Sequence, residues 1–182
     1  MRFRRVRTHR IVSWDEVLQH VAAENPACVI FDVEPLVSYW RNGSADLETG
    51  VARVVDEMSK LACIRMVAFA TNSSRRPAAA LIREGLDIRY VSDAGKPFKS
   101  REYRGFPKPG MVIGDQMATD GMLAWRLGYT FLHYRPERAT VPRGPRAMNY
   151  VGRPLRHLFA AVIYPDPSAA PPPFREGESG RG

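Results

Sequence analysis

The chain has 182 residues, 45% hydrophobic and 25% charged, which is the composition of a soluble globular domain at a length that favours one domain over two. Its 27 Lys+Arg against 19 Asp+Glu give a formal charge of +8 and a pI near 9.9, so anionic partners come first to mind. Two cysteines, Cys28 and Cys63, each inside an apolar run, exclude a disulfide framework and fit a reducing, cytoplasmic setting with both thiols as packing residues. The apolar stretch 158–164 is far short of the roughly 18 residues of a membrane span, and the basic N-terminus lacks the continuous apolar core of a signal peptide. Any membrane contact is therefore expected to be peripheral.

Residues 1–12 read as a basic N-terminal segment, residues 13–164 as the folded domain, and residues 165–182 as a Pro/Gly-rich tail too poor in apolar side chains to offset its ordering entropy. Ser13-Trp14-Asp15-Glu16 has the form of a capping box, and Trp14, Val17, Leu18 and Val21 recur at helical spacing up to the break at Asn25-Pro26. The run 27–31 is apolar throughout and too short for a core helix, so it suits a strand buried on both faces. A second 3.6-period stripe (Leu47, Val51, Val54, Val55, Met58, Leu61) precedes a second such strand, 64–70. A helix over 77–84 closed by Gly85, a strand over 87–91, a strand over 111–113, a helix over 119–127 ending before Gly128 and a fifth strand over 130–134 continue the alternation. Residues 135–145 read as an irregular Arg/Pro connection and 150–164 as a final amphipathic helix. Strands alternating with helices predict an α/β fold, a three-layer Rossmann-like sandwich on a five-stranded parallel sheet.

In such a sheet the ligand crevice lies beyond the carboxyl ends of the strands. The first strand delivers Asp32 and then Glu34, the second Thr71 and Asn72, the fourth Asp115 with Asp120 five residues on, and Lys96 falls between the third and fourth. Carboxylates and a hydroxyl at one edge beside a lysine suit a Mg2+ ion and a phosphate, because Mg2+ takes hard oxygen ligands and offsets phosphoryl charge. Lys96 is preferred over Lys108, which belongs to the other end of the fourth strand.

Four segments in order, Ile30-Phe31-Asp32-Val33-Glu34, Ala70-Thr71-Asn72-Ser73, Gly95-Lys96-Pro97 and Val112-Ile113-Gly114-Asp115-Gln116-Met117-Ala118-Thr119-Asp120, resemble the motifs of the haloacid dehalogenase (HAD) superfamily of phosphohydrolases. With Arg126-Leu127-Gly128 following, the last motif is similar to that of the capless subclass that includes the phosphatidylglycerophosphate phosphatases. The resemblance implies a HAD-like fold without a cap domain and a Mg2+-dependent hydrolase acting through an aspartyl-phosphate. It implies Asp32 as nucleophile, Glu34 as acid/base, and Mg2+ held by Asp32, Asp115 and the main-chain carbonyl of Glu34. It further implies Thr71 and Asn72 as phosphate-binding residues, Lys96 as the charge-balancing group, and Asp120 orienting the lysine or a metal-bound water.

The family places aspartate where this chain has Glu34, and the extra methylene of glutamate bears directly on turnover. Two readings follow: a phosphomonoester hydrolase, or a catalytically degenerate HAD-fold binding or regulatory protein. Asp32 and Thr71 are 39 positions apart and Thr71 and Lys96 are 25 apart, intervals too short for a cap. An uncapped site suits a large or lipid-borne phosphate, with Trp40 and Arg41 as a substrate flap. The basic ends invite contact with an anionic membrane surface; nucleic acid is the less favoured partner. His9, His20, His133 and His157 are scattered, show no zinc spacing, and read as structural or exposed.

Overall fold

The computed structural model describes residues 5–40, 42–79, 82–99, 101–135 and 154, and the backbone of 160–163. Their elements in chain order are β1 (Val6–Ile11), α1 (Trp14–Glu24), β2 (Cys28–Asp32), α2 (Ser44–Ser59), β3 (Met66–Ala70), β4 (Asp87–Val91), β5 (Gly110–Gly114), α3 (Met122–Leu127), β6 (Thr130–Tyr134) and β7 (Ala160–Ile163). The strands form one sheet in the order β4-β3-β2-β5-β6-β1-β7, every neighbouring pair parallel. This is an α/β, Rossmann-like architecture.

Side-chain alternation in the central strands divides the core in two. Val29, Phe31, Val67, Phe69, Met111 and Ile113 face α1 and α2, where Val17, Val21, Leu47, Val51, Val54 and Met58 close the layer. Cys28, Ile30, Met66, Ala68 and Val112 face the opposite way, against Tyr103, Phe106, Leu123 and Ala124. Each fully buried aliphatic or aromatic side chain stabilises by roughly 1.5–3 kcal/mol relative to exposure, so both helical stripes are held by packing more than by propensity. The Ser13 cap is real: its hydroxyl accepts from Glu16 N at 3.2 Å, while the Glu16 carboxylate reaches back to Val12 N at 2.9 Å. Asn25 ends α1 in the left-handed region with φ 46°. Cys28 is buried and Cys63 partly so; burial pushes the Cys28 thiol up to about 12, which keeps it inert.

Four expectations are corrected. Among the described residues the sheet has seven strands, because the basic N-terminal segment contributes β1 and the proposed final helix over 150–164 contains β7. β1 lies inside the sheet: Val6, Thr8 and Ile11 are buried while Arg5, Arg7 and Arg10 are exposed, so the basic segment is a strand that packs its apolar side chains and leaves its charges in solvent. No described residue of 77–84 is helical; Ile82 is 92% exposed and Arg83 bridges Leu86, since so short a segment with no apolar stripe to bury gains too little from a helix. The helix expected from Thr119 begins with a wider π-type turn, Met117–Gly121, and α3 proper starts at Met122 and stops at Gly128, whose φ of 74° suits glycine. The tail 165–182 and the connection 136–145 lie outside the described residues.

Candidate functional site

The strand order places β2 between β3 and β5, so the carboxyl ends of these three strands bring Asp32, Thr71 and Asp115 to one edge. Asp32 is the last residue of β2; Thr71 and Asp115 each follow their strand directly. The π-type turn after β5 carries Asp120 back toward them. This close return needs Gly114, because a Cβ there would collide with the Asp120 carboxylate.

Lys96 organises the centre. Its ammonium donates to Asp32 Oδ1 at 2.8 Å, Asp120 Oδ1 at 2.7 Å and the Ala70 carbonyl at 2.9 Å, using all three of its N–H groups. Asn72 places that lysine: its Oδ1 accepts from Lys96 N at 2.8 Å and its Nδ2 donates to Lys96 O at 3.3 Å. Arg126 of α3 supports the same loop by donating to the carbonyls of Pro97 and Phe98. Lys108, by contrast, is exposed just before β5 begins. Asp120 Oδ2 accepts from Gln116 N at 3.2 Å, so both of its oxygens are engaged. His133, buried on β6, lies with Nε2 3.0 Å from the Asp115 carbonyl.

Asp32, Asp115 and Asp120 are all buried, and each offers a carboxylate oxygen within 4.8 Å of the others. Three carboxylates against one ammonium leave a formal charge of −2 when all are ionised. Burial raises the Asp32 carboxyl well above the ordinary carboxylate range, and Asp120 adds to this against the opposing pull of Lys96. Asp115 is pushed up to about 7, by burial first and Asp120 second. Burial alone would lower the Lys96 ammonium, but Asp120 and Asp32 outweigh it and hold it above its ordinary range. Among the described residues, Asp115 Oδ1 is buried with no hydrogen-bond partner. Buried polar atoms are rarely left so. An all-oxygen donor set, a residual negative charge and an orphaned carboxylate oxygen fit a hard divalent cation such as Mg2+.

Glu34 is buried but its side chain does not join this group. It accepts from Thr71 Oγ1 at 2.6 Å, Ser73 Oγ at 3.3 Å and Arg75 at 3.1 Å. The Thr71 hydroxyl, expected on phosphate, is thereby committed to Glu34, and Asn72, expected to bind phosphate, is committed to the Lys96 backbone. Arg75 also donates to Ser38 Oγ and to the carbonyls of Tyr39 and Asn42, tying down the segment between β2 and α2. Trp40 in that segment is partly buried; Arg41 lies outside the described residues. Beside the site a cleft of about 560 Å³ opens at β4, lined by Arg76, Tyr90, Lys99 and Glu102 among others.

Sequence reasoning gave Ser73 and Arg75 no role of their own in the site and read His133 as structural or exposed. Only Ser73 carried a signal, its place directly after the Thr-Asn pair; the other two depend on which loops the fold brings together. Comparison with protein-family models, with curated proteins and with solved structures finds no match to this chain.

Proposed function

We propose that this chain is a Mg2+-dependent phosphomonoester hydrolase of the HAD type, with a HAD-like fold and no cap domain, acting through an aspartyl-phosphate. One observation carries the reading: buried carboxylates from three segments lie within 4.8 Å of one another, two of them on a single buried lysine, and one of their oxygens, Asp115 Oδ1, is left without a hydrogen bond. Structural ion pairs rarely concentrate so much unbalanced negative charge in a desolvated place, because each buried carboxylate costs several kcal/mol unless compensated.

In this reading Asp32, Asp115 and the main-chain carbonyl of Glu34 hold the ion, with Asp120 beside them, and Mg2+ when bound supplies the positive charge that offsets the phosphoryl oxygens. Asp32 attacks phosphorus; the P–O bond to the alcohol breaks as the carboxylate–phosphorus bond forms, splitting one displacement into two. Glu34 leaves its Thr71 contact to protonate the departing oxygen, then takes a proton from the water that hydrolyses the acyl phosphate. Lys96 balances charge in the transition state, Asp120 and Asn72 fix its position, and Thr71, once released by Glu34, donates to a phosphoryl oxygen. The short 33–43 link supports an open site. Arg76 and Lys99 supply positive charge for an anionic ester, large or lipid-borne, met by a cytoplasmic protein at an anionic membrane surface. No helix among the described residues is long and apolar enough to cross a membrane.

A second reading rests on the Glu34 contacts. With three partners already satisfying its carboxylate, the acid/base position is spent on structure, which suits a degenerate HAD-fold binding or regulatory protein. Hydrolysis of p-nitrophenyl phosphate with Mg2+ separates the two. Turnover by the wild type, reduced about a thousandfold or more in Asp32→Asn, is expected. Equal rates in both proteins would remove Asp32 as the nucleophile, and no turnover by a folded, Mg2+-binding wild type would favour the degenerate reading.

A further inference from the structure

Three strands along the sheet from β2, a second cluster has a different chemistry. His9 on β1 and His20 and Glu24 on α1 each present one ligand atom within 4.8 Å of the others, and all three residues are partly buried. His20 and Glu24 are four apart and so lie on one face of α1, which packs beside β1. His9 is fixed from both sides of its strand, opposite Leu132 of β6 and Ile163 of β7. The two imidazole rings lie 4.6 Å apart between centroids at 41°. Glu24 closes α1 and its Oε2 accepts from the hydroxyl of Thr130, the first residue of β6, and β5 and β6 lie between β1 and β2, so the cluster is laterally separate from Asp32.

We propose that His9, His20 and Glu24 form a binding site for a borderline divalent transition ion of the Zn2+ class, fastening β1 to α1 and β6. Two imidazoles and one carboxylate are the nitrogen-and-oxygen donor set that such ions take with a water in the remaining position, and one that Mg2+ disfavours. A second observation points the same way. His9 Nε2 is shielded from solvent and lies 3.0 Å from Glu24 Oε1 as an ion pair, in a side chain 13% exposed, without the alignment of a hydrogen bond. Donor atoms that share one ion approach each other to about this distance with their lone pairs turned to the ion, since each bond to it is about 2.0–2.1 Å long. The Thr130 hydroxyl on Oε2 provides the outer hydrogen bond that orients a ligating carboxylate. Arg7 stands 3.7 Å from the same oxygen with its side chain 60% exposed, so its opposing charge is largely screened.

The test is a Zn2+ titration of the full-length chain by calorimetry in excess Mg2+, so that the Asp32–Asp115–Asp120 group is already supplied with its own ion. The wild type is expected to bind one Zn2+, to melt at a higher temperature with it than in chelator, and to give the visible absorption of a nitrogen-liganded site with Co2+. His20→Gln and Glu24→Gln are expected to weaken Zn2+ binding by about a hundredfold or more and to lose the Co2+ bands. Glu24→Gln keeps an oxygen for Thr130, and the melting temperature of each variant in chelator shows whether it folds. Unchanged Zn2+ affinity in folded His20→Gln and Glu24→Gln, or Zn2+ binding lost only in Asp115→Asn, would overturn the proposal; so would an absence of Zn2+ binding by the wild type.

Discussion

Lys96 Nζ lies 2.7 Å from Asp120 Oδ1, a contact that joins the loop after β4 to the turn after β5 directly beside Asp32. Both side chains are essentially removed from water, at 2% and 0% exposure, so neither charge is tolerable without the other. The lysine thus holds the shape of the site as well as its electrostatics.

Replacing Lys96 by methionine keeps its length and removes its charge, leaving Asp32 and Asp120 facing each other. Stability is expected to fall by about 3–5 kcal/mol in chelator, as for other broken buried pairs. Saturating Mg2+ should recover part of that loss, because a dication replaces the missing positive charge. Denaturant unfolding with and without Mg2+ measures both; a variant as stable as the wild type in chelator would show that the pair is not the anchor of the site.

Glu34→Asp shortens the side chain by one methylene and draws it away from Thr71 and Arg75, which now hold it. If the position works as acid/base, turnover of p-nitrophenyl phosphate should rise by about tenfold or more, since a displacement near 1 Å at a catalytic group is worth up to about a hundredfold. Steady-state kinetics, with kcat and KM separated, decide it. Unaltered kcat would place Glu34 in the structural network alone.

Burial and the neighbouring Asp120 push the Asp115 carboxyl up to about 7 in the folded protein, against about 3.9 for an unperturbed aspartate. The folded state therefore holds this proton more tightly, so its contribution to stability is fully present below about pH 4 and is lost as pH rises through 7. Asp32, also raised, acts in the same direction. Mg2+ binds the ionised carboxylates, so the gain in melting temperature on adding Mg2+ should be larger at pH 8 than at pH 5. Thermal melts at the two pH values check the sign; a larger gain at pH 5 would contradict these assignments.

Much of the central layer was legible because its signals are local. The all-apolar runs before Asp32 and Asp115 are too short for core helices and suit strands buried on both faces, and the Leu47-to-Met58 stripe has the period of a helix covering them. The outer parts were not legible for the opposite reason. Val6–Ile11 carries exposed arginines among its buried residues, and its place between β6 and β7 is a long-range pairing that composition does not report. Residues 77–84 have helix-compatible side chains but nothing to bury, and tertiary packing is what decides short helices.

Within the site, Asp32, Thr71 and Asp115 were readable from their positions at strand ends, because a parallel sheet forces those ends to one edge, and Lys96 and Asp120 from the segments that follow those ends. The chain's order and residue types thus determined the sheet's core and which groups gather there. Only the tertiary structure decided their allegiances: Glu34 to Thr71 and Arg75, Asn72 to the Lys96 backbone, and His9 to a face of α1 eleven and fifteen residues away. Hydrogen bonds and ligand sets depend on ångström-scale approach between segments distant in sequence, a quantity that spacing along the chain does not contain.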